Sequence, residues 1–304
     1  MTSGDARKSG SFEAMPEDAV GALCVLASGS RGNCSVLLLP DGGTRRVVLI
    51  DAGLSPRRTG ALLCELGIEL WEIDAILLTH LDADHAHVSW MRHRRVQAPI
   101  YMHSSHRGHA QRVGLWCDRV ETFTEPFRLF DRVSVHPRLL HHDQLGVVVY
   151  RFEIEDEQRS RRCRLGFATD VGRPSDDLVE HVFDCDVLGI ESNYCPKMQM
   201  ASGRPEFLKR RIMGGSGHLS NDECLAVLRR AQPREHVIFL HLSQECNDPV
   251  LVSRLHQGST YRATLAHQHR PTPWIWLTPS SAAPAAPRSP GPCAGLPLWT
   301  GADT

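Results

Sequence analysis

Short apolar segments alternate with amphipathic segments along most of the chain, and this alternation is the strongest constraint on its fold. SVLLLP, IDAILLTH, LGVVVYRFEIE and HVIFLHLS have the length and composition of strands and are separated by turn-forming residues such as GSRGN. SPRRTGALLCELGIEL and NDECLAVLRRA show helical spacing instead, with Ser55 before Pro56, and Ser220 or Asn221, as candidate N-caps. Because strands and helices alternate throughout, the sequence predicts an α/β fold.

The two ends of the chain differ in composition from its middle. Residues 1–21 are small and polar, and residues 278–304 are rich in proline, alanine, serine and glycine, with little apolar area to bury. We therefore expect a disordered leader over residues 1–21, one folded domain over residues 22–277, and a disordered tail over residues 278–304.

Composition excludes several classes of protein. The 304 residues carry 34 basic and 35 acidic side chains, so no strong overall field draws the chain to nucleic acid or to a membrane. No segment reaches the roughly 18 apolar residues of a membrane helix, and the N-terminal segment lacks the apolar core of a signal peptide. The ten cysteines are scattered without a CxxC pair. We expect a cytoplasmic protein with no membrane association.

Aspartate and histidine residues follow several predicted strands, namely Asp51, His80, Asp170 and His241. Ligand sites in α/β sheets form where strand ends open into loops, so these residues point to one site. The densest cluster is THLDADH at residues 79–85, which we call the metal loop; it holds two histidines and two aspartates. Imidazole and carboxylate groups are ligands for zinc, iron and manganese. The alternative is a polar turn whose aspartates cap the next helix.

The H-x-D-x-D-H pattern of the metal loop resembles the H-x-H-x-D-H signature of the metallo-β-lactamase superfamily. Further segments match in the same order: LASGSRGNCSVLL, VVLIDAG, RLLHHDQLGVVVYRFE, LGFATDVG and VIFLHLSQECND. IESNYCP and GHLSN are similar to blocks of the YycJ/WalJ-like branch. The resemblance covers about residues 22–277 and implies a four-layer αββα sandwich, with two mixed sheets flanked by helices.

The resemblance implies a dinuclear centre for two divalent metal ions, zinc or manganese, with iron as a further candidate. The implied ligands are His80, Asp82, Asp84, His85, His142, Asp170 and His241. One ion would be held by His80 and His142 with Asp82 as a candidate, and the other by Asp84, His85 and His241. Asp170 would bridge the two ions, and a hydroxide between them would be the nucleophile. His141, beside His142, is an alternative ligand.

Asp82 is the main departure from the superfamily pattern, which usually has histidine there. The carboxylate adds a negative charge and a hard oxygen ligand, so we expect manganese or iron to be accepted alongside zinc. The same change also allows a different hypothesis, in which the chain is a metal-poor, non-catalytic relative that binds its partner without turnover.

The resemblance also implies roles around the metals. Asp84 and His218 would be catalytic, with His218 protonating the leaving oxygen or contacting phosphate; alternatively, Gly217 and His218 only shape the turn before a helix. Three further residues are expected to support the ligands without binding metal themselves. These residues are Asp51, Asp143 and Asn193.

We therefore predict a metallo-hydrolase, a phosphodiesterase or exonuclease-like enzyme that acts on nucleic acid. A small ester, lactone or thioester is the alternative substrate for the same site. Two basic clusters could contact phosphates, although charge runs are also typical of solvated helix faces. The clusters are Arg92, Arg94 and Arg95, and Lys209, Arg210 and Arg211. The sequence leaves the oligomeric state open.

Overall fold

The computed structural model describes residues 15–41, 44–140, 145–156, 161–215 and 217–280. Most of the predicted leader and nearly all of the predicted tail lie outside these ranges. Within them, Val20 is buried and its N–H donates to the carbonyl of Leu277, so the chain joins the fold just ahead of the first strand.

Fourteen strands and seven α-helices are assigned in the described residues. The strands are β1 (Ala22–Ala27), β2 (Cys34–Asp41), β3 (Thr44–Ile50), β4 (Ile73–Leu77), β5 (Ile100–His103), β6 (Val120–Phe123), β7 (Phe127–Phe130), β8 (Val133–Leu140), β9 (Val147–Asp156), β10 (Arg161–Ala168), β11 (Val187–Glu191), β12 (His236–Leu240), β13 (Arg262–Leu265) and β14 (Ile275–Trp276). The helices are α1 (Pro56–Glu65), α2 (Arg107–Val113), α3 (Asp176–His181), α4 (Pro196–Ala201), α5 (Glu206–Met213), α6 (Asn221–Ala231) and α7 (Pro249–Leu255). Among the described helices, none combines the length and the hydropathy required to cross a bilayer.

The strands form two mixed sheets of seven strands each. The first has the order β14-β1-β2-β3-β4-β5-β6, and the second has the order β13-β12-β11-β10-β9-β8-β7. In the first sheet β3 to β6 are parallel, and in the second β10 to β13 are parallel, while the remaining pairs are antiparallel. The predicted α/β class is confirmed.

Three apolar clusters fill the spaces between four layers. Val48 from the first sheet and Phe152 from the second belong to the cluster between the sheets. Leu63 of α1 belongs to the cluster outside the first sheet. Leu178 of α3 and Val227 of α6 belong to the cluster outside the second. Helices therefore cover the outer face of both sheets, and the predicted αββα sandwich is confirmed.

Local sequence signals explain where two of the helices begin. The Ser55 hydroxyl accepts a hydrogen bond from the Arg58 N–H, and Pro56 is the first residue of α1. Ser220 is the N-cap of α6 and forms a capping box with Glu223. The Ser55 cap fixes the end of the loop that follows β3, and the Ser220 cap fixes the end of the segment that precedes α6.

The parallel arrangement brings several strand ends to one rim of the sandwich. In the first sheet β3 and β4 are parallel neighbours, so the residues after Ile50 and Leu77 emerge together. In the second sheet β10, β11 and β12 are parallel neighbours, with Ala168 opposite Ile190 and Glu191 opposite Leu240. Of the predicted site residues, Asp51, the metal loop, Asp170, Asn193 and His241 lie in the loops that follow these five strands.

The core between the sheets generates a stability prediction. Replacing Phe152, which is fully buried, with alanine should lower the free energy of unfolding by about 3–5 kcal/mol, because a cavity would remain. The control is Phe207→Ala, whose ring is 73% exposed and which should change the free energy of unfolding by less than about 0.5 kcal/mol. Denaturant unfolding followed by circular dichroism measures both; equal losses would contradict the assignment of Phe152 to the core.

Candidate metal centre

Backbone and side-chain hydrogen bonds hold the metal loop against the end of β3. The carboxylate of Asp51 accepts hydrogen bonds from the Thr79 N–H at 2.8 Å and from the Thr79 hydroxyl at 2.9 Å. The Ala52 N–H donates to the His85 carbonyl at 2.8 Å, and the Asn33 N–H donates to the Asp84 carbonyl at 2.7 Å. The loop is therefore fixed at both its ends.

These bonds also orient the two histidines of the metal loop. His85 Nδ1 lies 2.8 Å from Asp51 Oδ2, and His80 Nδ1 lies 3.0 Å from the Thr79 hydroxyl. A carboxylate only accepts, so His85 donates from Nδ1; the Thr79 hydroxyl donates to Asp51 and accepts from His80 Nδ1. The Nδ1 atoms are thus engaged by Asp51 and Thr79, and the Nε2 atoms of both rings are the ones that face Asp170. Both side chains are nearly or fully buried.

The carboxylate of Asp170, in the loop after β10, lies at the centre of the site. Its Oδ2 atom is 3.8 Å from His80 Nε2 and 2.5 Å from His85 Nε2. Its Oδ1 atom is 3.0 Å from His218 Nδ1 and 2.9 Å from His241 Nδ1. Burial opposes ionisation, but the charges of His241 and His85 hold the pKa of Asp170 well below its usual range.

Glu191 is a member of the site that the sequence reasoning missed. Its fully buried side chain ends β11, with Oε1 2.6 Å from His218 Nδ1 and 3.3 Å from His241 Nδ1. Burial works against the charged imidazole of His218, but the Glu191 and Asp170 carboxylates raise the pKa of His218 to about 9. The sequence does contain a signal for Glu191. This residue ends an apolar strand, and the predicted site residues Asp170 and His241 also stand at the ends of apolar strands.

Polar residues from both sheets position His241 at the end of β12. Its backbone N–H donates to the Ser28 hydroxyl at 2.8 Å, and its carbonyl accepts from Asn193 Nδ2 at 2.6 Å. Asn193 therefore contacts His241 directly, the kind of contact expected of a residue that supports a ligand.

The residues present fit a divalent metal ion. Three groups have candidate ligand atoms within 4.8 Å of one another: Asp170, Glu191, His218 and His241; His80, His85 and Asp170; and Asp84, His85 and His241. Among the described residues, the buried His241 Nε2 atom has no hydrogen-bond partner. Buried polar atoms normally have partners, so this atom is suited to a cation.

Asp82 and Asp84 face the open side of the site. Asp84 Oδ2 is 3.7 Å from His85 Nε2 and 3.6 Å from His241 Nε2, whereas Asp82 is 3.9 Å from His80 Nε2 and has a 58% exposed side chain. Both line a cleft of about 450 Å³ that also contains His80, Asp170, His218 and His241. Asp84 thus belongs to the compact cluster, and Asp82 lies at its mouth.

The cleft wall opposite the metal loop comes from α5 and the turn before it. Arg204 and Arg211 line the cleft. Of the two predicted basic clusters, only the second contributes a residue to this lining, Arg211, while Arg204 was not singled out from the sequence. The predicted ligand His142, its alternative His141 and the supporting residue Asp143 lie outside the described residues.

The fold and the site define a metallo-β-lactamase type of protein, with an αββα sandwich and a histidine–aspartate cluster at one rim. The family model described as "Beta-lactamase superfamily domain" matches residues 46–242. The chain belongs to this family, and the expected superfamily is confirmed.

Relatives support the expected branch. The chain is 29% identical over 231 residues to "Exodeoxyribonuclease WalJ" of Streptococcus pneumoniae, covering 73% of this chain and 82% of the relative. It is 26% identical to "Exodeoxyribonuclease YycJ" of Bacillus anthracis over 228 residues, covering 73% and 83%. Among solved structures, the metallo-β-lactamase fold protein YhfI from Bacillus subtilis superposes with a TM-score of 0.58 at 18% identity, covering 83% of this chain and 99% of YhfI. The YycJ/WalJ-like branch is confirmed.

The packing of the metal loop on Gly53 generates a second prediction. A Cβ atom on Gly53 would lie 1.7 Å from the Asp84 carbonyl oxygen, so Gly53→Ala must displace the loop. We expect metal content per chain, measured by plasma mass spectrometry, to fall at least about tenfold, because ligand misplacement weakens metal sites by about that factor or more.

The matched control is Gly60→Ala in α1, where the added Cβ would meet only ordinary contacts at 3.6 Å or more. This variant should retain wild-type metal content. Circular dichroism verifies that both variants are folded. Full metal content in folded Gly53→Ala would show that the contact with Asp84 does not position the ligands.

Proposed function

We propose that this protein is a metal-dependent phosphodiesterase that hydrolyses DNA, using two divalent ions on either side of Asp170. The observation that carries the proposal is the environment of that carboxylate. Its Oδ2 atom lies near His80 and His85, which belong to different proposed ligand sets, and its Oδ1 atom lies near His241. A buried carboxylate within reach of both ligand sets is suited to bridging two ions.

The names of the relatives support DNA as the substrate class. Two of them, at 29% and 26% identity, are named exodeoxyribonucleases, and each match covers more than four fifths of the relative. The open cleft supports the same class, because arginine residues line the wall facing the carboxylates.

One proposed ligand set follows a cluster in the described residues: Asp84, His85 and His241 would hold one ion. The second set follows the family resemblance, in which His80 would hold the other ion with His142. Asp82, 3.9 Å from His80 Nε2 at the mouth of the cleft, would be a further ligand. Bound there, divalent ions would supply Lewis acidity and lower the pKa of a water molecule. The oxygen-rich set, with Asp82 in place of histidine, favours manganese or iron alongside zinc.

His218 is the proposed proton donor to the leaving oxygen. It lines the cleft, and its side chain is 24% exposed, so it can reach a substrate. Glu191, at 2.6 Å from Nδ1, fixes the ring so that Nε2 is the atom available to the substrate. In this proposal Glu191 is a positioning residue and does not itself touch the substrate.

A substrate panel tests the proposed function. Protein purified without chelator and supplied with manganese or zinc should hydrolyse bis(p-nitrophenyl) phosphate and a single-stranded oligodeoxynucleotide, and turnover should stop when a chelator removes the metal. Turnover confined to lactones, thioesters or small esters would contradict the phosphodiesterase proposal and favour the alternative hydrolase. Fewer than one tightly bound metal ion per chain and no turnover of any substrate would favour a non-catalytic binding protein.

Asp170→Ala tests the bridging role. Removing this buried carboxylate should lower both metal content and bis(p-nitrophenyl) phosphate turnover at least about 100-fold, because both ions would lose a shared ligand. Asp118→Ala, which removes an exposed aspartate, is the control and should retain both properties. Wild-type turnover in Asp170→Ala would refute the dinuclear proposal.

A further inference from the structure

The segment of residues 196–213, which contains α4, α5 and the turn between them, is unusually basic; we call it the helical wall. It carries five basic side chains and one acidic side chain, whereas the whole chain has 34 and 35. The basic side chains are Lys197, Arg204, Lys209, Arg210 and Arg211. Positive charge is thus concentrated beside a cleft whose other wall is acidic.

The helical wall is anchored to the domain through its apolar side. Ile212 is 7% exposed and packs in a cluster with Tyr194 and Cys246, and Leu208 packs against the same cluster. Lys209 Nζ donates to the Met200 carbonyl at 2.7 Å, which ties α5 to α4. Because these contacts fix α5 on the domain, the side chains on its other faces are held in defined positions.

Two arginines of the wall reach the cleft that contains the metal centre. Arg204 donates from Nε to Glu245 at 3.0 Å and from a terminal nitrogen to Gln199 at 3.4 Å. These bonds use two of its five N–H donors and hold the guanidinium at the cleft wall. Arg211 lines the same cleft, so two arginine residues of the wall border the cleft that contains the metal centre. Guanidinium groups are well suited to contacts with phosphate.

Phe207 provides a second, chemically different contact surface on the wall. Phe207 is 73% exposed, the largest exposed fraction of any large hydrophobic residue in the described part of the chain. Phe207 and Arg211 are four residues apart on α5, so they are neighbours on one helix face. An exposed aromatic ring beside a phosphate-binding cation is the arrangement that binds unpaired bases, because every base has a face that can stack.

We propose that the helical wall binds an unpaired DNA strand that leads into the metal centre, a proposal that rests on the proposed nuclease function. Arg204 and Arg211 contact phosphates at the cleft, and Phe207 stacks on a base just outside it. Duplex DNA is a poorer occupant, because its bases are already stacked on one another and offer no free face to Phe207.

Four variants of the manganese-supplied protein test the wall. Phe207→Ala and Arg211→Gln remove the two contacts, and Phe207→Trp restores an aromatic face. Arg210→Gln is the matched charge control, because Arg210 lies on the same helix, is 72% exposed and does not line the cleft. Each variant is assayed on an oligothymidylate and on bis(p-nitrophenyl) phosphate, which is too small to span the wall.

We expect Phe207→Ala to lower kcat/KM for the oligothymidylate about 5- to 150-fold, the range given by loss of one stacked base. Arg211→Gln should reduce the slope of log KM against log salt concentration by about 0.7, the value for one single-strand phosphate contact. In Phe207→Ala, turnover of bis(p-nitrophenyl) phosphate should stay within about twofold of wild type, because Phe207 does not line the cleft that holds the metal centre. Phe207→Trp and Arg210→Gln should behave as wild type on both substrates.

Binding of a fluorescent phosphorothioate oligothymidylate, which resists hydrolysis, separates failure of the wall from failure of the proposed function. Wall-dependent binding without turnover of any phosphodiester would support the wall and overturn the nuclease proposal. Wild-type binding and cleavage by Phe207→Ala and Arg211→Gln would overturn the proposal for the helical wall. Equal loss of turnover on both substrates in Phe207→Ala would also overturn it. Tighter binding of a blunt duplex than of the single strand would also overturn it.

Discussion

The buried negative charge of Asp170 is the constraint on which the rest of the site depends. Its side chain is 3% exposed, and four imidazole rings approach its two oxygens. Burying a carboxylate is unfavourable by several kcal/mol unless cationic or hydrogen-bonding partners accompany it. His80 and His85 come from the first-sheet side of the rim, and His218 and His241 from the second. The two halves of the sandwich thus meet around one charge that neither half could bury alone.

The backbone at the strand ends is bent to bring these groups together. Asp51, Asp170 and His241 have φ values of 62°, 51° and 54°, in the left-handed region that non-glycine residues rarely occupy. Each such residue costs about 1–2 kcal/mol. Hydrogen bonds offset the strain: the Val171 N–H donates to Glu191 at 3.0 Å, and the His241 N–H donates to Ser28. Strain of this kind persists where surrounding contacts enforce it, which is common at functional sites.

Alternation of strands and helices was enough to predict the α/β class, and acidic or histidine residues after apolar strands predicted a common rim. Glu191 ends an apolar strand, so the rule that pointed to Asp170 and His241 applies to it as well; the pairing of β11 between β10 and β12 then places it beside Asp170. Arg204 has no such signal, because it is a single basic residue in a turn, separate from the basic run that begins at Lys209. Its place in the cleft depends on contacts between distant segments, which a local pattern does not encode.

The proposed bridging of two divalent ions by Asp170 can be tested by anomalous scattering from crystals of the metal-loaded protein. Maps calculated from data above and below the absorption edge of the bound metal would locate each ion independently of the protein model. If Asp170 bridges the ions, two anomalous peaks per chain should appear, one on the His80 side of the Asp170 carboxylate and one on the His241 side. A single peak, or peaks that Asp170 does not contact, would contradict the bridging role.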